Sequence, residues 1–192
     1  MFHQLLKLFL VLTSAAGNCL FNGKDVTMSG FIMDNYCIDQ GFMVDNPTTP
    51  TLVHPEVHSI HCLVDVKACT DSMFAILAPP EGPNSNYTIK YQLGKNGTAL
   101  AIKYAMAARN YGKRGFNATI NGVDDGTSEL KCISIEKTIM VDSKAVTLSA
   151  TDVASATIMP MDMQPNNATK TNGAQQATSL MVLIAIMALF GI

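Results

Sequence analysis

The chain has little charge and no excess of either sign. Only 15% of its 192 residues are Asp, Glu, Lys or Arg, and the formal net charge is -2, so it lacks the basic footprint that holds nucleic acid. It also lacks the common catalytic signatures. There is no G-x-S-x-G, no H-E-x-x-H and no C-x-x-C, and the glycines are scattered among turns instead of forming a loop that could cradle phosphate. A free cysteine beside a histidine can act as a nucleophile, but in an oxidising compartment a disulfide is its commoner fate. Asp34, Asp39 and Asp45 read as loop carboxylates. The chain is therefore expected not to be an enzyme.

What the chain does have starts at its ends. It opens MFHQLLKLFLVLTSAAGNC, where Lys7 interrupts an apolar run ending at Leu12 and the small residues Ser14, Ala15 and Ala16 follow. This reads as a secretory signal peptide over 1–16, with cleavage after Ala16. A bacterial lipoprotein signal is excluded because Asn18, not a small residue, precedes Cys19. The other end is an unbroken apolar run from Leu180 to Ile192 with no Lys or Arg after it. As a helix that run reaches only about 20 Å, short of the roughly 30 Å hydrocarbon core. Small residues, a polar spacer and a terminal apolar tail together form the signal for a glycosylphosphatidylinositol anchor. Asn172-Gly173-Ala174 is the best attachment triplet, with Asn167-Ala168-Thr169 giving the longer spacer. Attachment is expected at Asn172 and removal of 173–192, the alternative being a short C-terminal transmembrane helix. The expected location is the extracellular face of the plasma membrane, held by the lipid anchor. About 155 residues then remain, a one-domain length.

Four N-x-S/T sequons, at Asn86, Asn96, Asn117 and Asn167, fit that compartment, while Pro47 excludes Asn46. From residue 142 the chain is rich in Ser, Thr and Ala, so 142–172 is expected to be a disordered stalk. Within it Met159, Met161 and Met163 alternate. Thioethers are soft ligands for Cu(I), and this M-x-M-x-M run resembles the methionine motifs in the ectodomains of copper transporters.

The stretch 17–141 is then the folded domain, and its pattern is mostly strands. Asp25 to Met33 is β-rich, with Gly30 marking a bulge or bend. Pro55 at a first turn predicts a helix from Pro55 to Cys69. Phe74 to Leu77 is a short strand, and NYTIKYQL alternates Tyr87, Ile89, Tyr91 and Leu93 on one face. GKNG is expected to turn that strand into TALAIKY as a hairpin. Phe116, Ala118 and Ile120 start another strand, and turns at Asn121-Gly122 and Asp125-Gly126 lead into the last, Glu129 to Met140. Five antiparallel strands with one inserted helix predict a mainly β fold, a small OB-like barrel.

The opening GFIMDNYC, the later HxxHC and CTDSMFAIL, and the closing FNATING and LKCISI resemble a loose class of small secreted domains found in bacteria, algae and protists. These open with G-x-I-x-D-x-x-C, carry a Cys-containing helix and end in a strand pair. The resemblance covers Val26 to Ile135. It implies an OB-like barrel and disulfides, and no particular reaction.

Five cysteines remain after signal removal: Cys19, Cys37, Cys62, Cys69 and Cys132. In a secreted chain they are expected to form two disulfides, with Cys19, near the mature N-terminus, as the odd thiol. On one helix Cys62 and Cys69 would stand about 10 Å apart, beyond disulfide reach, so each needs a partner elsewhere, and Cys37 and Cys132 are the candidates. The same helix places His58, His61, Cys62, Asp65 and Cys69 within an arc of about 100°. The first expectation is disulfides, with histidines that cap, hydrogen-bond or face solvent. The alternative is copper or zinc held by His58, His61 and Asp65, with Asp34 or His54 added. The function expected is a surface glycoprotein that binds an extracellular ligand or surface protein or serves display, with metal capture through the histidine helix or the stalk methionines as the second reading.

Overall fold

The structure, a computed structural model, describes residues 19–156. The signal segment, Met159, Met161, Met163, Asn167, Asn172 and the apolar tail lie outside the described residues. Among the described residues no helix is long and apolar enough to cross a membrane.

The fold is mainly β. Its strands are β1 (Lys24–Asp34), β2 (Phe42–Met43), β3 (Asn46–Pro50), β4 (Phe74–Ala78), β5 (Thr88–Gln92), β6 (Asn117–Asp124), β7 (Lys131–Val141) and β8 (Lys144–Thr147). The helices are α1 (Asn35–Gln40), α2 (Ile60–Asp65), α3 (Lys67–Asp71), α4 (Gly94–Ala108) and α5 (Ala150–Ser155), with a 3-10 turn at Pro55–Val57. Six strands form one antiparallel sheet in the order β5-β4-β1-β6-β7-β8, and β2-β3 form a separate hairpin. One parallel bridge, Gln92 to Glu129, touches the β5 edge to the start of β7, but no ladder closes the sheet. The expected five-stranded barrel is therefore an open six-stranded sheet.

The largest departure from the sequence reading is α4. The pattern of GKNGTALAIKY predicts a turn and a strand, yet Gly94–Ala108 is one helix. The alternation of Leu100 and Ile102 is real but short, whereas alanine, the best helix former, recurs along the whole segment. Thr98, Ala101, Ala105 and Ala108 are buried at spacings of three and four, the helical period. α4 packs on β4 and β7, and α2 and α5 pack on α4. Small residues allow the close approach: a Cβ on Gly97 would stand 2.6 Å from Ile133 Cδ1. Tyr104 donates to the Ile135 carbonyl at 2.9 Å, and the Thr98 hydroxyl accepts from Phe74 N–H at 2.9 Å. The main core lies between α4 and the sheet, with Ile32, Phe74, Ile76, Ile120 and Ile139 from the strands and Ile60 and Leu63 from α2.

β1 is the central strand, pairing with β6 over its first part and with β4 at its end. Gly30 stays in regular pairing with Ala118 and is needed for another reason: a Cβ there would lie 2.1 Å from the Leu77 carbonyl oxygen. Asn121-Gly122, expected as a turn, lies inside β6, and the Asp125-Gly126 region makes the reversal instead. β8 and α5 fall in the span expected as stalk. Asp142 and Ser143 take positive φ angles to make a two-residue hairpin turn, and Leu148 is buried, so folded structure continues to Ser155.

The expected helix from Pro55 to Cys69 is in three pieces. The 3-10 turn ends before His58, which is extended, α2 starts after Ser59, and Val66, also extended, separates α2 from α3. β-branched Val66 is a poor helix former, and the break turns the chain so that α3 does not continue the axis of α2.

Candidate metal centre

The breaks around α2 assemble a site. Asp34, the last residue of β1, is the N-cap of α1, and its Oδ1 accepts from Cys37 N–H at 2.8 Å. Ser59 is the N-cap of α2, its hydroxyl accepting from Cys62 N–H at 3.1 Å. Val66 is the N-cap of α3, and its carbonyl accepts from Cys69 N–H at 3.0 Å. Each of the three cysteines thus stands three residues after a cap, at the start of its own short helix. The α1 and α3 helices are pinned together, with Asn35 N–H donating to the Met73 carbonyl and Tyr36 N–H to the Ser72 hydroxyl. Thr51 closes the loop side, its buried hydroxyl donating to the Cys37 carbonyl at 2.7 Å.

The three sulfurs meet in the interior. Cys37 Sγ lies 3.7 Å from Cys62 Sγ and 4.0 Å from Cys69 Sγ, and Cys62 and Cys69 are 2.7 Å apart. One carboxylate oxygen of Asp34 completes a set of four ligand atoms within 4.8 Å of one another, all from residues with 0% exposure. His58, 1% exposed, stands beside this set, with Nε2 at 2.9 Å from Asp34 Oδ2. That contact is one of charge, not of alignment: Asp34 Oδ2 and both ring nitrogens of His58 have no hydrogen-bond partner. Buried polar atoms are normally satisfied, so a buried ion pair with no aligned hydrogen bond on ligand-capable groups is a chemical signal.

The electrostatics concentrate one negative charge on Cys37. The Cys62 and Cys69 thiols beside it hold its pKa well below the usual thiol range, with burial opposing and His58 assisting. The Cys62 thiol is pushed up by Cys37 and Cys69 and then by burial, and the Cys69 thiol chiefly by Cys37. Burial works against a charged His58, but the Asp34 carboxylate and the Cys37 sulfur outweigh it and hold the imidazolium up to about 9.

A tetrahedral ion with metal–sulfur bonds of about 2.3 Å has sulfur–sulfur edges of about 3.8 Å. Two of the three edges here have that length, and the Cys62–Cys69 edge must open by about 1 Å. The donor set fits a borderline or soft ion, and His58 is placed to orient the carboxylate, as outer partners of metal ligands commonly do. Five surface cavities among the described residues are lined by other residues.

The site expected from the helical wheel is not assembled. His61 is exposed and pairs with Asp65 at 2.7 Å, Asp65 pairs in turn with Arg109 at 2.8 Å, and exposed His54 pairs with Glu56 at 3.0 Å. Only His58 turns inward, together with Asp34. The cysteine pairing is also corrected. Cys19, expected as the odd thiol, forms a disulfide with Cys132, while Cys37, Cys62 and Cys69 stay free. Cys62 and Cys69 are close because no continuous helix holds them apart. A signal for the cluster was present in the sequence: D-x-x-C at Asp34 to Cys37 and S-x-x-C at Ser59 to Cys62 are cap spacings with a cysteine at the third helical position.

Of the sequons, Asn86 and Asn96 are exposed and Asn117 is half-buried within β6. Beside α2 a cavity of about 420 Å³ is lined by Val57, Ile60, His61, Arg109, Lys113 and Arg114, among others. No family model, curated protein or solved structure matches the chain.

Proposed function

We propose that the chain is a lipid-anchored cell-surface glycoprotein whose domain holds one thiolate-seeking metal ion at Cys37, Cys62, Cys69 and Asp34. The observation that supports the metal is the meeting of three buried sulfurs and a buried carboxylate within 4.8 Å, beside a buried histidine ion-paired with that carboxylate at 2.9 Å. Thiolates suit both Zn²⁺ and Cu⁺, and the carboxylate favours Zn²⁺. The site is closed on all sides, the form metal takes when it holds a fold together. Metal here locks α1, α2 and α3 over the end of β1, and the domain's outward task is display or ligand binding, with the cavity beside α2 as the available concave surface. The two chain ends and the exposed sequons support the surface location.

The test is metal analysis of the natively secreted chain. Near-stoichiometric zinc is expected, lost in Cys37→Ser/Cys62→Ser and retained in His61→Ala. Three alkylatable thiols with no bound metal would sink the reading. Phosphatidylinositol-specific phospholipase C should release the protein from intact cells; retention while control proteins are released would show a spanning tail instead.

A further inference from the structure

We propose that Cys62 and Cys69 are an oxidation site whose co-reactant is a hydroperoxide, and that its product is a Cys62–Cys69 disulfide with Cys37 left as a thiol. The inference rests on the metal reading for its consequence, since loss of two thiolates gives the closed site a means of release. The oxidation itself concerns the metal-free chain.

The geometry selects the pair. At 2.7 Å the Cys62 and Cys69 sulfurs are the nearest two of the three, lying between a metal-spanning edge of about 3.8 Å and a disulfide of about 2.05 Å. Closing the remaining gap takes less than about 1 Å of sulfur movement. The extended residue Val66 between α2 and α3 brings them there, so no helix has to unwind. Cys37 is farther, at 3.7 Å from Cys62 and 4.0 Å from Cys69.

The burial selects the oxidant. All three sulfurs are fully buried, and no cavity described above reaches them. A reagent hardly larger than water can pass through small local openings that exclude a bulky disulfide.

The step balances. One sulfur of the pair gives up its proton as it attacks a peroxide oxygen; the O–O bond breaks, and the departing hydroxide takes that proton and leaves as water. The sulfenic acid so formed is attacked by the second sulfur; the S–O bond breaks, the S–S bond forms, and a second water leaves. Two thiols and one hydrogen peroxide give one disulfide and two waters, with two electrons passing from sulfur to oxygen. Cys37 can then attack Cys62, forming a Cys37–Cys62 bond while Cys69 departs and takes up the proton that Cys37 lost. The cluster therefore has a built-in exchange partner.

The full chain, reduced and freed of metal by chelator, is treated with hydrogen peroxide, then denatured, alkylated and mapped. The expected product links Cys62 to Cys69 and leaves Cys37 alkylated, while Cys69→Ser diverts the link to Cys37–Cys62. Glutathione disulfide should react at least about tenfold more slowly than peroxide at equal concentration. Zinc added as the probe should bind the reduced chain and be lost from the oxidised one. Indiscriminate pairing, sulfinic acid without a disulfide, or glutathione disulfide as fast as peroxide would overturn the proposal. If the disulfide forms but the reduced chain takes no zinc, the oxidation site stands and the metal reading falls. If zinc binds but no Cys62–Cys69 link appears, the reverse holds.

Discussion

At the Lys24 end of β1 the chain is exposed and its preceding segment is tethered by the Cys19–Cys132 disulfide, whereas at the Asp34 end the strand is buried and meets three cysteines that remain thiols. Burial rises along the strand from one end to the other. At the exposed end Leu20 and Phe21 find little cover, so a covalent bond holds residues that packing leaves loose. At the buried end packing suffices to hold sulfur in place, but any polar group taken inside must then be matched. The same element thus fastens one end of a strand by a bond and builds, at the other, a charged centre whose polar atoms are incompletely partnered.

The buried end should break first. Asp34→Ala removes the α1 cap and leaves His58 without its counter-charge, and loss of one member of a buried pair costs about 3–5 kcal/mol. Urea unfolding of the metal-free chain should register it, with Asp34→Asn, which keeps a capping oxygen, separating the cap from the charge. The same end sets a pH signature. His58 titrates at about 9 in the folded chain, above the ordinary 6.5, so its contribution is fully present below about 6.5 and is lost as pH rises through about 9. The metal-free chain should lose on the order of 3 kcal/mol across that window. A stability flat from pH 6.5 to 9 would show that His58 is neutral in its pocket.

The tethered end should respond less. Cys19→Ser/Cys132→Ser opens a loop with a sequence separation of 113, and a loss of about 2 kcal/mol is expected in thermal unfolding, the low end of the usual range because the tethered segment is itself exposed. A larger loss than that of Asp34→Ala would reverse the comparison. The smallest change is Ser59→Ala, which removes the cap of α2 and should cost about 1 kcal/mol. In the metal-bound chain the same variant sharpens the contrast, because its effect on zinc affinity should be detectable by competition with a chelator, while the disulfide variant leaves that affinity unchanged.

Most strands are legible because alternation of apolar and polar residues survives in short segments, as in Phe116-Ala118-Ile120 at the start of β6; NYTIKYQL does form β5, but an irregular register against β4 leaves Ile89 exposed, not on one face with Tyr91. α4 is hidden because three or four residues of alternation imitate a strand, while the alanine content that favours the helix shows only over a longer window. The centre was half legible. His58, Cys62 and Cys69 were singled out, but on one helical wheel, and the wheel presumes a helix that extended residues at His58 and Val66 interrupt. The cap spacing at Ser59 and the β-branched Val66 mark where the chain can break, but the packing of α2 on α4 and of α3 on α1 that brings the cysteines together is not a local pattern. The Cys19–Cys132 bond was hidden for a related reason: proximity to the N-terminus says nothing of which strand that terminus lies beside.

That bond also sets the order of events during synthesis. Chains are made N-terminus first, so Cys19 is present well ahead of its partner and shares the growing chain with Cys37, Cys62 and Cys69 before β7 has been made. Three wrong partners precede the right one. Closure of α1, α2 and α3 buries all three of those thiols and so leaves Cys132 as the partner for Cys19. The burial of the centre therefore keeps three competing thiols out of reach of the disulfide at the far end of the strand.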